Sequence, residues 1–251
     1  MTTTITADER VEPSHITITA KAADFAAIRD LVTDETPIQH ESANDDLSQV
    51  VVKPWGHESR VYADPVFDLW HLCIRNGAET SMHAHLRKTT QLLCLAGTAK
   101  FETLSGSFDV TAGTVMTIGP GAFHRTRSTS SELHLIEVEH PRNKFDLIRL
   151  GDRYDRSKTT YESSVTSAGE SKLKPVRQVP HTHLRRTSTA GMFEFTLRTG
   201  MDIFYTPRPA ELFYVPTGYE AFISGHPVLS AQPGVKTPVF TDQTYLAISA
   251  Q

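Results

Sequence analysis

The sequence predicts an all-β protein, an antiparallel sandwich or barrel, and three observations carry that prediction. Between Val50 and about Leu150, short β-favouring runs recur and end in glycine or proline turns: VVKPWG, FDLWHLCIRNG, QLLCLAG, KFETLSG, FDVTAG, TVMTIGPG and LHLIEVEHP. Strand-like runs resume at MFEFTLRTG and continue through ELFYVPTG and EAFISG to TYLAISA. The two β-rich stretches also lie over one another. LWHLCIRNG (69–77) aligns with MFEFTLRTG (192–200), and TQLLCLAGTAKFETLSG (90–106) with ELFYVPTGYEAFISG (211–225). Glycine positions and strand alternation coincide, as expected of an internal repeat.

Element by element, the polar start leads into AADFAAIRDLV (22–32), where Phe25, Ile28, Leu31 and Val32 fall at helical spacing. This predicts one short amphipathic helix packed on a neighbour. Residues 1–49 are read as an N-terminal arm carrying that helix, 50–156 as a first barrel and 187–251 as a second. The charged, Ser-rich stretch between them, 157–186, reads as a surface linker.

At 251 residues and 39% hydrophobic content the chain can bury a core, and a formal charge of −4 gives no overall pull toward nucleic acid or an anionic membrane. No apolar run approaches the ~20 residues that span a bilayer. The start MTTTITADERVEP lacks the basic end and apolar stretch of a signal peptide, so a cytoplasmic location is expected. Cys73 and Cys94 are the two cysteines and have no CxxC spacing, which fits a reducing compartment and disfavours cysteine-based zinc sites. A metal would then depend on histidine or oxygen.

His83-Ala84-His85 supplies such ligands. On a strand, residues i and i+2 face the same side, so the two imidazoles can grip one ion. The run GTVMTIGPGAFH offers a third, His124, re-entering a strand after a Gly-Pro-Gly turn. Neutral imidazoles in threes suit zinc, iron, manganese or nickel, and leave positions open for water and substrate. Glu137 and Glu139 lie on a neighbouring predicted strand, where alternation suggests a solvent-facing role for at least one of them. Arg60, Tyr62, His71, Arg75 and Lys100 sit on predicted strands and are candidates to bind an anionic or hydroxylated substrate, of which one or two would touch it. Arg125 and Arg127 should face away from the His124 side.

These residues resemble the cupin family. Gly77, five residues, His83-x-His85 and Gly97 match its first motif, and Gly113 with Pro120-Gly121-x-x-His124 its second. VVKPWGHE (51–58), Lys88 and FDLIRLGDRYDR (145–156) resemble the small cupins related to type II mannose-6-phosphate isomerase. The resemblance covers 51–156 and implies a double-stranded β-helix (jelly roll), duplicated, with one divalent metal in the first barrel and a homodimer. Trp55 and His57 match the strand that borders the barrel in that family.

One position departs from the pattern. The family places a glutamate ligand five residues after the second histidine, where this chain has Thr90. Gln91 follows and could coordinate through its amide oxygen, although alternation turns it to the other face. Either the centre is a three-histidine site, or an acid such as Glu137 fills in or acts from behind the ligands. In the second half the equivalent positions carry Thr206, Arg208 and Thr237, and Glu211 stands at the glutamate position, so that half cannot build the same site. His181 and His183 in HTHLRRTST echo the first motif without its glycine frame.

The function expected is a metal-dependent enzyme acting on a small polar, metal-chelating metabolite, by dioxygenation or Lewis-acid rearrangement. A sugar or sugar-phosphate isomerase or epimerase is the alternative implied by the resemblance. A non-catalytic metabolite-binding cupin is the other.

Overall fold

The computed structural model describes residues 15–32, 50–151, 153–154, 176–219, 221, 228–231 and 239–251. Its elements in chain order are β1 (His15–Ile18), α1 (Ala22–Leu31), β2 (Val50–Lys53), β3 (Gly56–Ala63), β4 (Asp68–Arg75), β5 (Met82–Ala84), β6 (Thr89–Ala96), β7 (Thr98–Thr103), β8 (Gly106–Thr111) and β9 (Val115–Ile118). There follow β10 (His124–Ser128), β11 (Glu132–His140), β12 (Ile148–Gly151), β13 (Val179–Pro180), β14 (Thr187–Ala190), β15 (Phe193–Thr199), α2 (Gly200–Tyr205), β16 (Glu211–Thr217), β17 (Leu229–Ser230) and β18 (Thr244–Ala250).

The first barrel is two facing sheets. One runs β1-β9-β6-β11-β4-β3-β13, with β2 also on β3; the other runs β12-β5-β10-β7-β8. The pairings are antiparallel except β1 with β9 and β13 with β3. Alternation along β4, β6 and β11 sends Trp70, Leu72, Leu92, Cys94 and Leu135 into the space between the sheets, where Phe101, Val110 and Met116 meet them. Two glycines make the tight joins possible. Gly97 has φ +90°, and a Cβ there would come within 2.4 Å of Glu132 O. Gly121, at φ +78°, turns the chain into β10 and donates its N–H to His85 O at 2.7 Å, tying the two histidine motifs together.

The third sheet runs β14-β15-β18-β16-β17. This repeats, strand for strand and in chain order, the β3-β4-β11-β6-β9 portion of the first sheet, and the aligned runs 69–77 and 192–200 fall on β4 and β15. Among the described residues the second half is this single sheet rather than a closed barrel; EAFISG lies almost entirely outside them. Where the first barrel has β5 and its histidines, the second half has α2. Its inner face packs on the outer face of the first sheet, joining Phe193, Phe195, Leu197, Val215 and Leu246 to Val61, Leu69, Leu93, Ile136 and Val138 in one core.

Two expectations need correction. The helix α1 exists, but Phe25 and Leu31 are exposed, and the buried residue is Asp24, whose carboxylate accepts from Lys21 N and Phe123 N. The helix is pinned to the barrel by a polar clasp, with Ile28 near Gly121, instead of by an apolar stripe. The stretch 157–186 is not wholly linker: most of it lies outside the described residues, but β13 within it pairs with β3.

Candidate metal centre

β5 and β10 carry the three histidines. His83 and His124 are directly opposed across the β5–β10 pair, and His85 follows two residues along. Ring centroids are 4.4 Å apart for His83–His124, 5.1 Å for His83–His85 and 5.6 Å for His85–His124. One nitrogen of each lies within 4.8 Å of the others, a group that could hold a metal ion. The Nδ1 atoms point outward: His83 Nδ1 is 2.8 Å from Ser81 O, His85 Nδ1 2.6 Å from Asp146 O and His124 Nδ1 3.0 Å from Ala122 O. A carbonyl only accepts, so each Nδ1 carries the proton and each Nε2 presents a lone pair to the centre. His85 Nε2 is buried with no hydrogen-bond partner among the described residues, as expected of an atom built to ligate. Burial pushes all three imidazoles below the usual histidine range, with His124 next in effect on His83 and Lys88 on His85. They are neutral and free to coordinate at neutral pH. Phe101 stacks on His124 and fixes its plane.

The histidines open on a cleft. Trp55, Leu72, Leu92, Leu135 and Leu147 give it apolar walls, and Lys53, Glu58, Glu137, Glu139, Lys144 and Arg149 give it charge. Arg149 sits directly across from His83. Glu58 and Lys53 pair at 3.7 Å. Lys88 donates to Glu139 at 2.6 Å, and Lys144 bridges Glu137 and Glu139. His85, Glu137 and Glu139 also bring ligand atoms within 4.8 Å of one another.

The sequence-predicted site residues divide as follows. His83, His85, His124 and Glu137 come together in the cleft. The expectation that Glu137 or Glu139 faces solvent fails, since residues i and i+2 share a face and both are buried. Thr90 lies on the inward face of β6 beside Leu92, fully buried, with its Oγ1 unpartnered among the described residues. Gln91 does not reach the centre; it points to the other face, where its Nε2 donates to Thr117 Oγ1 at 3.4 Å. Tyr62 is also removed from the cleft. A bulge between Arg60 and Tyr62 flips the strand, so Tyr62 joins the core shared with the third sheet and donates to Asp64 at 2.8 Å. Arg60 stays inward, its guanidinium 5.7 Å from the Trp70 ring centroid, without lining the cleft. His71 faces outward against Phe193 and Phe195. Arg75 is exposed, with Nη2 on Pro54 O at 2.5 Å, and Lys100 pairs with Asp109 on the surface. Arg125 and Arg127 face away from the cleft and bind Glu79. His181 and His183 are exposed in a turn before β14.

Sequence reasoning missed Lys53, Glu58, Lys144 and Arg149. Lys53 and Glu58 lie in the VVKPWGHE segment, where the β2–β3 hairpin folds them inward; Lys144 and Arg149 depend on the path of the chain after β11, which no periodicity encodes.

The fold and this histidine arrangement define a cupin barrel. Residues 40–152 match the family model described as mannose-6-phosphate isomerase C-terminal. No curated protein matches. Among solved structures, similarity is found to the oxalate decarboxylase formate complex of Lactobacillus farciminis (18% identity, 41% of this chain and 33% of that one, TM-score 0.37). It is found also to KdgF from Halomonas sp. (18%, 40% and 93%, TM-score 0.37) and to a cupin-superfamily sugar phosphate isomerase from Silicibacter pomeroyi (11%, 43% and 80%, TM-score 0.37). The chain thus spans about a third of the length of the oxalate decarboxylase chain. Among the described residues, no helix is long and apolar enough to cross a membrane.

Proposed function

We propose that the first barrel is a metal-dependent enzyme that moves a proton on a small, anionic, oxygen-rich metabolite such as a sugar phosphate or sugar acid. The observation that carries this reading is the Glu137–Lys144 pair facing the same cleft as three Nε2 lone pairs. His83, His85 and His124 would hold one divalent ion of the zinc, iron, manganese or nickel group. When bound, such an ion supplies Lewis acidity toward a substrate carbonyl or hydroxyl oxygen.

The remaining work falls to the chain. Arg149 and Lys53 line the cleft and give an anionic group a charged seat, while Trp55, Leu72 and Leu147 exclude water from the reacting end. Lys144 donates to Glu137 Oε2 and holds the carboxylate in place, and Glu137 Oε accepts a proton from a hydroxyl-bearing substrate carbon next to a carbonyl and returns it to the carbonyl carbon, while the hydroxyl proton passes to the former carbonyl oxygen. An isomerase results, in line with the name of the matched family. We read 187–251 as a remnant of a duplicated barrel that covers the first sheet and lacks a centre of its own.

A second reading, dioxygenation, draws on Thr90. With no carboxylate at that position, a three-histidine centre keeps one further place open for dioxygen. One experiment separates the two. Metal content, oxygen uptake and solvent deuterium incorporation are measured together on a panel of sugar phosphates and sugar acids. Deuterium entering a substrate carbon without oxygen uptake supports proton transfer. Iron with substrate-dependent oxygen uptake selects the dioxygenase, and a protein that binds no metal above pH ~7 would remove both.

A further inference from the structure

On the outer face of the first sheet, remote from the cleft, a second group of ligating side chains converges. His57 on β3, Cys73 on β4 and His134 on β11 are cross-strand partners in one row, His57 opposite Cys73 and Cys73 opposite His134. Glu132, two residues before His134, closes the group. The Cys73 thiol donates to Glu132 Oε1 at 3.0 Å, and His134 Nε2 donates to Glu132 Oε2 at 3.0 Å. Sulfur, imidazole nitrogen and carboxylate oxygen all lie within 4.8 Å of one another.

We propose that Cys73, Glu132 and His134 form a thiolate-containing cation site of the zinc class, with water completing the coordination. Three features support it. Directly opposed residues on neighbouring strands hold their Cβ atoms about 4.5–5.5 Å apart, a span that one ion with bonds of about 2.0–2.3 Å bridges without moving the backbone. The donor set, one sulfur, one imidazole and one carboxylate, is borderline-soft and leaves a fourth position for water, which selects zinc-like ions over magnesium or calcium. The imidazole of His134 is braced from behind: His71 Nε2 is 3.1 Å from His134 Nδ1, with the rings nearly coplanar, and Phe193 packs on both. When the ion takes His134 Nε2, the ring proton sits on Nδ1 and is donated to His71 Nε2, the second partner that ligating histidines require. Cys73 and His134 are buried, whereas Glu132 is half exposed and gives the ion its route from solvent.

Charge and protons balance simply. In the ion-free protein burial and the Glu132 carboxylate push the Cys73 thiol up to about 12, so it is protonated. Binding breaks the S–H bond, forms the metal–sulfur bond and releases one proton per ion to solvent. His134 and His71 each only exchange which nitrogen carries the proton.

Cobalt distinguishes this site from the cleft, because the three-histidine group contains no sulfur. Chelator-stripped protein loaded with Co(II) is expected to bind two ions per chain and to show a near-ultraviolet thiolate-to-cobalt charge-transfer band. Cys73→Ser should lose the band and one equivalent. The double variant His83→Ala, His85→Ala should lose the other equivalent and keep the band, so failure of the cleft site is read separately. Glu132→Gln, which keeps the thiol and leaves a half-exposed position neutral, should weaken cobalt binding at the band at least ~10-fold and serves if Cys73→Ser does not fold. A cobalt-loaded wild-type protein with no such band, a band unchanged in Cys73→Ser, or an unchanged affinity in Glu132→Gln would overturn the assignment.

Discussion

Lys144 Nζ stands 2.5 Å from Glu137 Oε2 and 3.4 Å from Glu139 Oε1, so one buried ammonium holds two carboxylates of the same strand face. Lys88 takes Glu139 from the other side at 2.6 Å, and Lys144 also lies over the Trp70 ring at 4.6 Å. Two lysines and two glutamates therefore neutralise each other on the wall of the cleft. Removing one member leaves an uncompensated buried charge, a loss of about 3–5 kcal/mol.

Glu137→Gln is expected to cut turnover by about 10²–10⁴-fold while retaining the metal at His83, His85 and His124. Metal content by elemental analysis and the rate of solvent deuterium incorporation check this together. If the metal departs with the carboxylate, Glu137 is a ligand and the three-histidine centre is wrong.

The histidine motifs and the strand grammar were legible because both are local. HxH on a strand and PGxxH after a glycine turn fix their own geometry, and alternation alone put Arg125 and Arg127 outside. Tyr62 was misplaced because the bulge after Arg60 reverses strand parity, and a single inserted residue leaves no trace in hydrophobic periodicity. Arg149 became visible only when β12 paired with β5. The expectation that a metal depends on histidine or oxygen alone rested on CxxC spacing. Cross-strand register instead sets Cys73 between His57 and His134, residues 16 and 61 positions away in the chain, a relation that sequence spacing does not carry.

Acid should unfold the metal-free protein from pH 6.5 downward. Burial pushes His71 down to about 3, and lowers His83, His85 and His124. The unfolded chain, with histidine near 6.5, therefore binds more protons than the folded one between those limits. The stability held by neutral His71 is complete above 6.5 and is lost as pH falls toward 3, at about 1.4 kcal/mol per pH unit. His71→Gln should flatten the dependence of urea stability on pH by about one proton. An unchanged slope would show that His71 is charged or exposed.

The third sheet should behave as part of the first barrel's core. Phe195 is fully buried between the two sheets against His71, so Phe195→Ala should cost about 3–5 kcal/mol and lower a single unfolding transition. Two separated transitions, with the metal-containing half unaffected, would show that the halves are independent. Arg198 and Glu211, buried partners at the position aligned with the family's glutamate ligand, are engaged with each other and with Tyr214 and Asp202. Arg208→Ala, exposed and joined to that cluster through its backbone carbonyl, which accepts from Glu211 N at 3.1 Å whatever the side chain, should leave turnover per metal unchanged.

Thr90 isolates the departure from the family pattern. Its Oγ1 is buried and unpartnered among the described residues, on the inward face of β6 opposite Glu139. A buried hydroxyl without a hydrogen bond costs about 1–3 kcal/mol, so Thr90→Val, which keeps the shape, should leave metal content intact and raise stability by about 1 kcal/mol. Thr90→Glu brings a carboxylate back to the position where the family has its ligand. It should tighten resting metal binding, close the open coordination place and lower turnover, because the added negative charge also opposes an anionic substrate. Titration of the metal against a chelator and the turnover of both variants read these effects separately. Loss of metal in Thr90→Val would make the hydroxyl a ligand, and the three-histidine description would then have to be replaced by a four-donor one.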